Sequence, residues 1–243
     1  MKTKFITFGA GKYKNYHSRL GSADFIKAGK RLINQVEKLK VFDETKLYTD
    51  TDLKNDSEFW GKHKDFIEKN SSEGSRGYGY WIWKPYIIKK SIETMKDGDI
   101  LMYADCGSTM TKNKRNIISA FNIVKKDYIL ASKHHTLEKQ YHKMDLIVLL
   151  GMKNSKHIET QQRQATAEMF FVCDKTRKLV NEWYNICCNY HMIDDTPSIE
   201  PNLPGNIEHR HDQSVFSLLT KKYNLFSSKS ITPSCVLFTK IRY

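Results

Sequence analysis

One block, Arg76 to Gly107, constrains the fold of this chain more than any other stretch; it reads RGYGYWIWKPYIIKKSIETMKDGDILMYADCG. A glycine- and aromatic-rich loop runs into a helix with Pro85 in its first turn, where the missing N–H would have no partner anyway. Ile88, Ile92 and Met95 fall at i, i+4 and i+7 and give that helix an apolar face. Asp97-Gly98 ends it. Ile100–Ala104 is then an unbroken apolar strand, the pattern of a strand covered on both faces. The strand stops on Asp105, followed by Cys106-Gly107. Open α/β sheets bind ligands outside the carboxyl ends of their strands, so a metal or phosphate address and a plain turn cap are both open readings of Asp105.

The flanking sequence repeats this strand–helix alternation. Lys4–Phe8 reads as a first strand ending in Gly9-Ala10-Gly11, which permits a tight turn or the close approach of a ligand. Ser22–Lys40 reads as an amphipathic helix, with Ser22 as its cap and Phe25, Leu32, Val36 and Leu39 on one face. Lys46–Thr49 closes a β-α-β unit. Phe59–Lys69 is helical and Asn70–Ser75 a polar loop. A helix over Asn113–Lys126 leads to a strand over Tyr128–Ser132. Lys133–Gln164 is an irregular excursion with room for a short helix. Ala167–Val172 returns to strand, and Lys175–Tyr190 is a helix burying Leu179, Trp183 and Ile186. Ile193–Ile207 holds three of the five prolines and must be a loop. His211–Lys222 is a helix and Ile231–Tyr243 an extended tail. The whole predicts one α/β domain over residues 1–243: a mostly parallel, mixed central sheet flanked by helices on both faces.

Composition narrows the class. With 243 residues, 40% hydrophobic and 28% charged, the chain is long enough for a substantial core and is not of disordered type. Ile147–Leu150, among the longest apolar runs, is far too short to cross a bilayer. No apolar stretch of signal-peptide type follows Met1–Lys4. Five scattered cysteines without a CxxC predict reduced thiols and a cytoplasmic location. The formal charge of +13 attracts anions, so peripheral attachment to an anionic membrane surface is a second expectation. The sequence contains no P-loop, HExxH, paired-cysteine zinc pattern or GxSxG elbow.

Three groups of residues carry the candidate chemistry. Asp105 is the first. The second is the loop from Tyr78 to Pro85; Lys84 at its helix start and Arg76 in the glycine loop just before it could meet an anionic group, helped by the helix N-terminus, and Trp81 and Trp83 are the rings expected in the core. The third is the turn Glu208-His209-Arg210-His211-Asp212-Gln213-Ser214. Asp212 sits near the start of a helix, where aspartate is a favoured cap, but capping does not account for the His-Arg-His before it or the Gln after it. His209 and His211 could ligate a metal or touch a phosphate. Asp212 could orient a hydroxyl or act as a base.

The block RGYGYWIWKPYII…DGDILMYADCG, taken with HRHDQSVFSLL, resembles bacterial and large-virus glycosyltransferase-like proteins and is similar to the GT-A, nucleotide-diphospho-sugar transferase superfamily. The resemblance implies a GT-A-like domain with a donor-binding half over 1–107 and an acceptor-side half over 108–243. It implies a UDP- or GDP-linked sugar donor, a glycan or glycolipid acceptor, and no nucleic-acid partner. Phe8, Gly9, Ala10, Arg76, Lys84, Asp105 and Gln213 would face the donor, and His209, Arg210 and His211 the acceptor or phosphates. In that superfamily an acidic DxD motif holds Mn2+ or Mg2+. Here the matching stretch is Tyr103-Ala104-Asp105-Cys106-Gly107. Only Asp105 of the acidic pair is present, with His211 a conceivable second metal ligand. Asp212 is the first candidate base, Glu168 the second and Asp145 a distant third. The rival readings are a non-catalytic basic module for nucleic acid or anionic glycan, and a degenerate, inactive transferase fold.

Overall fold

The computed structural model describes residues 1–11, 24–71 and 76–241. Its centre is a five-stranded sheet built from β1 (Thr3–Gly9), β2 (Glu44–Thr49), β3 (Ile100–Ala104), β5 (Ile129–Leu137) and β6 (Gln161–Phe171). Their order is β2-β1-β3-β6-β5. β1 pairs in parallel with β2 and β3, whereas β6 runs antiparallel to both β3 and β5. Four strands thus share one direction and β6 opposes them. The fold class is the expected mixed α/β sheet, and the sheet draws strands from both sides of residue 107.

Helices cover both faces. On one face, Ile6, Phe8, Leu101, Tyr103 and Phe170 pack against α3 (Ser57–Lys69), α4 (Trp83–Glu93), α7 (Asp174–Cys187) and α8 (His211–Lys222). On the other, Phe5, Ile100, Met102 and Met169 pack against α1 (Phe25–Leu39) and α5 (Lys114–Asp127). The alternation of Phe5 and Ile6, or of Met102 and Tyr103, between faces follows from the two-residue period of a strand. The predicted stripe of α4 is buried along its length, at Ile88, Ile92 and Met95.

Several boundaries differ from the sequence reading. α1 starts at Phe25 and is capped by Asp24, whose carboxylate accepts from the Lys27 N–H; Ser22 lies outside the described residues. A short helix, α2 (Asp50–Lys54), is added, held by a reciprocal capping box between Thr49 and Asp52. The excursion is shorter than Lys133–Gln164. β5 continues to Leu137 and β6 begins at Gln161, and α6 (Met144–Leu149) is the short helix between them. The tail is more than extended chain: Ile231, Cys235 and Val236 are buried, and β7 (Val236–Leu237) pairs with β4 (Thr109–Met110). All five cysteines are free thiols, and no described helix is long and apolar enough to cross a membrane.

Candidate active site

The strand order reverses between β1 and β3, so a crevice opens at their carboxyl ends, the place where open α/β sheets bind ligands. Gly9 ends β1. A Cβ there would stand 2.3 Å from the Phe25 carbonyl oxygen, so the close approach this glycine permits is that of α1. The next turn is tied back when the Gly11 N–H donates to Asp50 at 3.1 Å. Phe8 and Ala10 are buried, and the Phe8 ring stacks on Trp83 with centroids 3.8 Å apart. These two residues build the floor of the crevice, with side chains in the core rather than facing a ligand. Beside Gly11, Lys27 and Lys30 of α1 line an open cleft of about 420 Å³.

Asp105 leaves β3 on the helix-rich face. Its N–H donates to Thr166 O on β6 at 2.8 Å, and its carbonyl accepts from Ser108 at 2.9 Å. Arg31 of α1 braces the same turn by donating to the Cys106 and Ser108 carbonyls. The Asp105 side chain is 35% exposed. Its Oδ1 accepts from the Tyr103 hydroxyl at 2.6 Å. Arg31 and Tyr103 are site-building residues that the sequence reading did not single out.

Lys84 is the pivot. It was expected at the surface, facing phosphate; in the structure it is buried under the crevice, because α4 lays its first turn against the sheet. Its Nζ donates to Ala165 O at 2.6 Å and stands 3.3 Å from Asp105 Oδ1 and 3.4 Å from Asp212 Oδ2. Desolvation works against the ammonium, but the facing acids, Asp105 and then Asp212 foremost, outweigh it and raise its pKa. One ammonium therefore serves three acids.

The other two acids feel the shortage. Glu168 pairs across the sheet with Tyr103, so it points to the same face; it is fully buried and neither carboxyl oxygen has a hydrogen-bond partner among the described residues. Burial, then repulsion from Asp105 and Asp212, pushes its pKa well above the carboxylate range against the pull of Lys84. Burial thus disfavours the Glu168 carboxylate, which makes it a poorer base than Asp212. Asp212 is 3% exposed, and burial and Asp105 raise its pKa to about 7 although Lys84 pulls it down. Its Oδ2 lies within ion-pair range of Lys84 but receives no directed hydrogen bond. A buried carboxylate that titrates near neutrality, with an oxygen left over, is what a general base requires.

Asp212 is the second residue of α8, not its cap; that position belongs to Arg210. The difference arises at His211, whose φ is +56°, in the left-handed region. Tyr80 and Trp81 share it, at +48° and +60°. Each such residue costs on the order of 1–3 kcal/mol unless its surroundings enforce it. Here the three enforce one another: the His211 ring lies 5.0 Å from Tyr80 and 5.3 Å from Trp81. The glycines of the loop serve this packing, because a Cβ on Gly77, itself at positive φ, would meet the Trp81 indole at 2.6 Å. The loop's glycine thus packs against its own tryptophan. Trp83 is core as expected, while Trp81 stays half-buried.

The remaining candidates have other duties. His209 is buried with both nitrogens satisfied, accepting from the Lys143 N–H at 3.1 Å and donating to Met192 O at 2.8 Å. This corrects its assignment to acceptor or phosphate. His211 donates from Nδ1 to Ile193 O at 2.7 Å, and burial lowers its pKa to about 3, so it is neutral. Arg76 is paired with Glu208 at 2.8 Å and lies 3.8 Å from Asp195, while Arg210 Nε stands 2.7 Å from Glu208. These arginines are largely compensated within the chain rather than left for phosphate. Asp195, which also accepts from the Tyr80 hydroxyl at 3.1 Å, went unnoticed in the sequence because it sits in a proline-rich loop. Gln213 braces β6, accepting from the Ala165 N–H at 3.3 Å and donating to Gln162 at 2.7 Å. Asp145 accepts from the Ile199 and Glu200 N–H groups, both at 2.8 Å. Desolvation opposes its charge, yet these bonds bring its pKa to about 2, which suits a loop anchor and not a base.

A divalent metal does not fit the residues as they stand. Asp105 and His211 engage different partners, the cation among the carboxylates is Lys84, and the described residues hold no group of three His, Cys, Asp or Glu side chains arranged for an ion.

No protein-family model and no curated protein matches the chain. Among solved structures, mouse xyloside xylosyltransferase 1 in its apo form is similar with TM-score 0.46 and 10% identity, over 96% of this chain and 86% of that one. The apo WbbM bifunctional glycosyltransferase gives 0.43 and 10%, over 95% of this chain and 39% of that one. The 4-diphosphocytidyl-2C-methyl-D-erythritol synthase of Anaerococcus prevotii DSM 20548 gives 0.38 and 13%, over 89% and 96%. These likenesses are distant, and no residue role follows from them.

Proposed function

We propose that this chain is a nucleotide-sugar-dependent glycosyltransferase, moving a sugar from a UDP- or GDP-linked donor to a hydroxyl of a glycan or glycolipid acceptor. One observation carries the reading: Asp212, buried beside Lys84 and Asp105 at the carboxyl ends of the central strands, has its pKa raised to about 7, and its Oδ2 faces only the Lys84 ammonium, at 3.4 Å, with no directed hydrogen bond. In an inverting transfer that oxygen takes the proton of the acceptor hydroxyl as its oxygen bonds to the anomeric carbon. The bond from that carbon to the donor phosphate breaks, and the electron pair leaves with the nucleoside diphosphate. Lys84 orients Asp105 and Asp212 from below. The partly exposed Asp105 can accept from donor hydroxyls, and Lys30, in the cleft beside Gly11 that Asp24 also lines, offers a cation to the diphosphate. The reading routes no step through Mn2+ or Mg2+; the positive charge among the acids is that of Lys84.

The test is a thermal-shift screen of nucleoside diphosphates and nucleotide-sugars, with and without Mn2+, followed by donor turnover. A UDP- or GDP-linked ligand should stabilise the protein in a chelator, and Asp105→Ala should weaken that binding. Silence toward every nucleotide, together with tight, salt-sensitive binding to DNA or RNA, would overturn the reading.

A further inference from the structure

A second cavity, of about 390 Å³, lies at the other end of α8, against β6 and β5. Its wall includes Lys133, Lys156, His157, Arg163, Lys221 and the ring of Phe226. The volume falls within the range of small-molecule sites, ~300–1,000 Å³. Four lysine and arginine side chains meet there, and the acid beneath them is Glu138, which is fully buried. That carboxylate is already committed: it pairs with Lys221, accepts from Ser217 at 2.5 Å and contacts His142 Nε2 at 2.5 Å.

Arg163 makes the cavity a site rather than a basic surface. It is only 7% exposed, its guanidinium lies 4.7 Å over the Phe226 ring, and its buried Nε and Nη1 have no acceptor among the described residues. A guanidinium does not shed its proton in a protein. A buried acid short of a partner can become neutral by taking up a proton, but Arg163 has no such escape. Its unsatisfied N–H groups cost free energy where they lie buried, and a turn of the side chain toward the cavity would give them to an entering anion. Lys133 and Lys156, both exposed, flank the opening.

We propose that this cavity binds a phosphate-bearing small molecule, with Arg163 as the buried anchor, Lys133 and Lys156 closing on the anion from the rim, and Phe226 as the apolar wall for the organic part. The phosphate group is the recognised element because a compact, multiply charged acceptor answers several cations at once. The site is separate from the crevice at Asp105 and does not depend on the transferase reading.

Calorimetric titration of the full chain with inorganic pyrophosphate, at constant ionic strength, decides the matter. Wild type should bind. Lys133→Ala/Lys156→Ala, two exposed changes that leave the fold intact, should weaken binding at least ~10-fold, the loss expected for one or two charge-assisted hydrogen bonds. Arg163→Met should abolish it. Lys30→Ala, in the cleft offered to the donor diphosphate, should keep this binding, so that a pyrophosphate site there and one at Arg163 are told apart. Should Arg163→Met fail to fold, the double lysine variant alone decides. Absence of binding, or equal binding by the double variant, would overturn the proposal. So would binding confined to phosphatidylcholine vesicles containing phosphatidic acid, which would assign the basic rim to a membrane surface.

Discussion

The two ends of α8 carry opposite solutions to one problem. At its start, three acids (Asp105, Glu168 and Asp212) share a single ammonium, Lys84. At its end, Lys133, Lys156, Arg163 and Lys221 meet over a single buried carboxylate, Glu138. Both clusters are short of counter-charge at their buried members: Glu168 and Asp212 in one, Arg163 and Lys221 in the other. The acidic end can relieve the shortage internally by taking up protons: burial raises the Glu168 pKa well above its ordinary value and the Asp212 pKa to about 7. At the basic end, burial, followed by repulsion from Arg163, lowers the pKa of Lys133 and Lys221, though Glu138 supports the latter. Arg163 itself stays charged and needs an external anion. Excess acid can be relieved by protons, whereas an excess guanidinium can be relieved only by an anion.

Removing the pivot of the acidic end should have the largest effect. Lys84→Met leaves a buried acid cluster without its cation, and breaking such a pairing costs about 3–5 kcal/mol. The deficit measured by urea unfolding at pH 8 should shrink toward pH 5, where the acids can protonate. A loss independent of pH would show that Lys84 acts only through packing. The matching change at the basic end is Glu138→Gln, which strands Lys221 and Arg163 together. Its cost should be similar, about 3–5 kcal/mol, and pyrophosphate should restore part of it. In wild type, desolvation opposes the charge of Glu138, but His142 and Lys221 hold its pKa below the ordinary value. Its contribution is therefore present above the usual carboxylate pKa and lost as the pH falls through the folded one. A Glu138→Gln protein as stable as wild type at pH 7 would contradict the pairing.

Smaller effects sharpen the contrast. Glu168→Gln replaces an acid whose burial disfavours the carboxylate with a neutral amide of the same shape, so unfolding should shift by less than about 1 kcal/mol at pH 7. A loss of several times that would mean Glu168 is ionised. Lys133→Ala/Lys156→Ala should stay within about 0.5 kcal/mol per site without ligand, as exposed changes do; a large loss would show that the rim lysines are structural.

The sequence was most legible where burial is complete. The bounds of β3 and α8 coincide with the sequence reading, because Ile100–Ala104 is apolar throughout and Val215, Phe216 and Leu219 mark a helical stripe. The polar reaches of β5 and β6, KHHTL and QQRQ, were read as irregular. They pair at the sheet edge, where no apolar alternation is required, and their register is shifted. Within the site, Asp105 and Asp212 could be found because one ends a strand and the other starts a helix. Lys84 could be found but not placed, since a lysine at a helix start looks solvated until the opposing acids are known to lie above it. Arg163 carried no local signal at all. Its isolation exists only because β6, α8 and Phe226 converge on it.

The central claim is that Asp212 is a buried carboxylate titrating near neutrality. A raised folded-state pKa means that the native protein binds the proton more tightly than the unfolded chain. This stabilisation is present at low pH and is lost as the pH rises from about 4 to about 7. The direct measurement is unfolding free energy against pH for wild type and Asp212→Asn. The account predicts a wild-type curve that falls across this window relative to the variant, and a variant that is the more stable protein at pH 8. Parallel curves, or a wild type that gains on the variant as the pH rises, would contradict it.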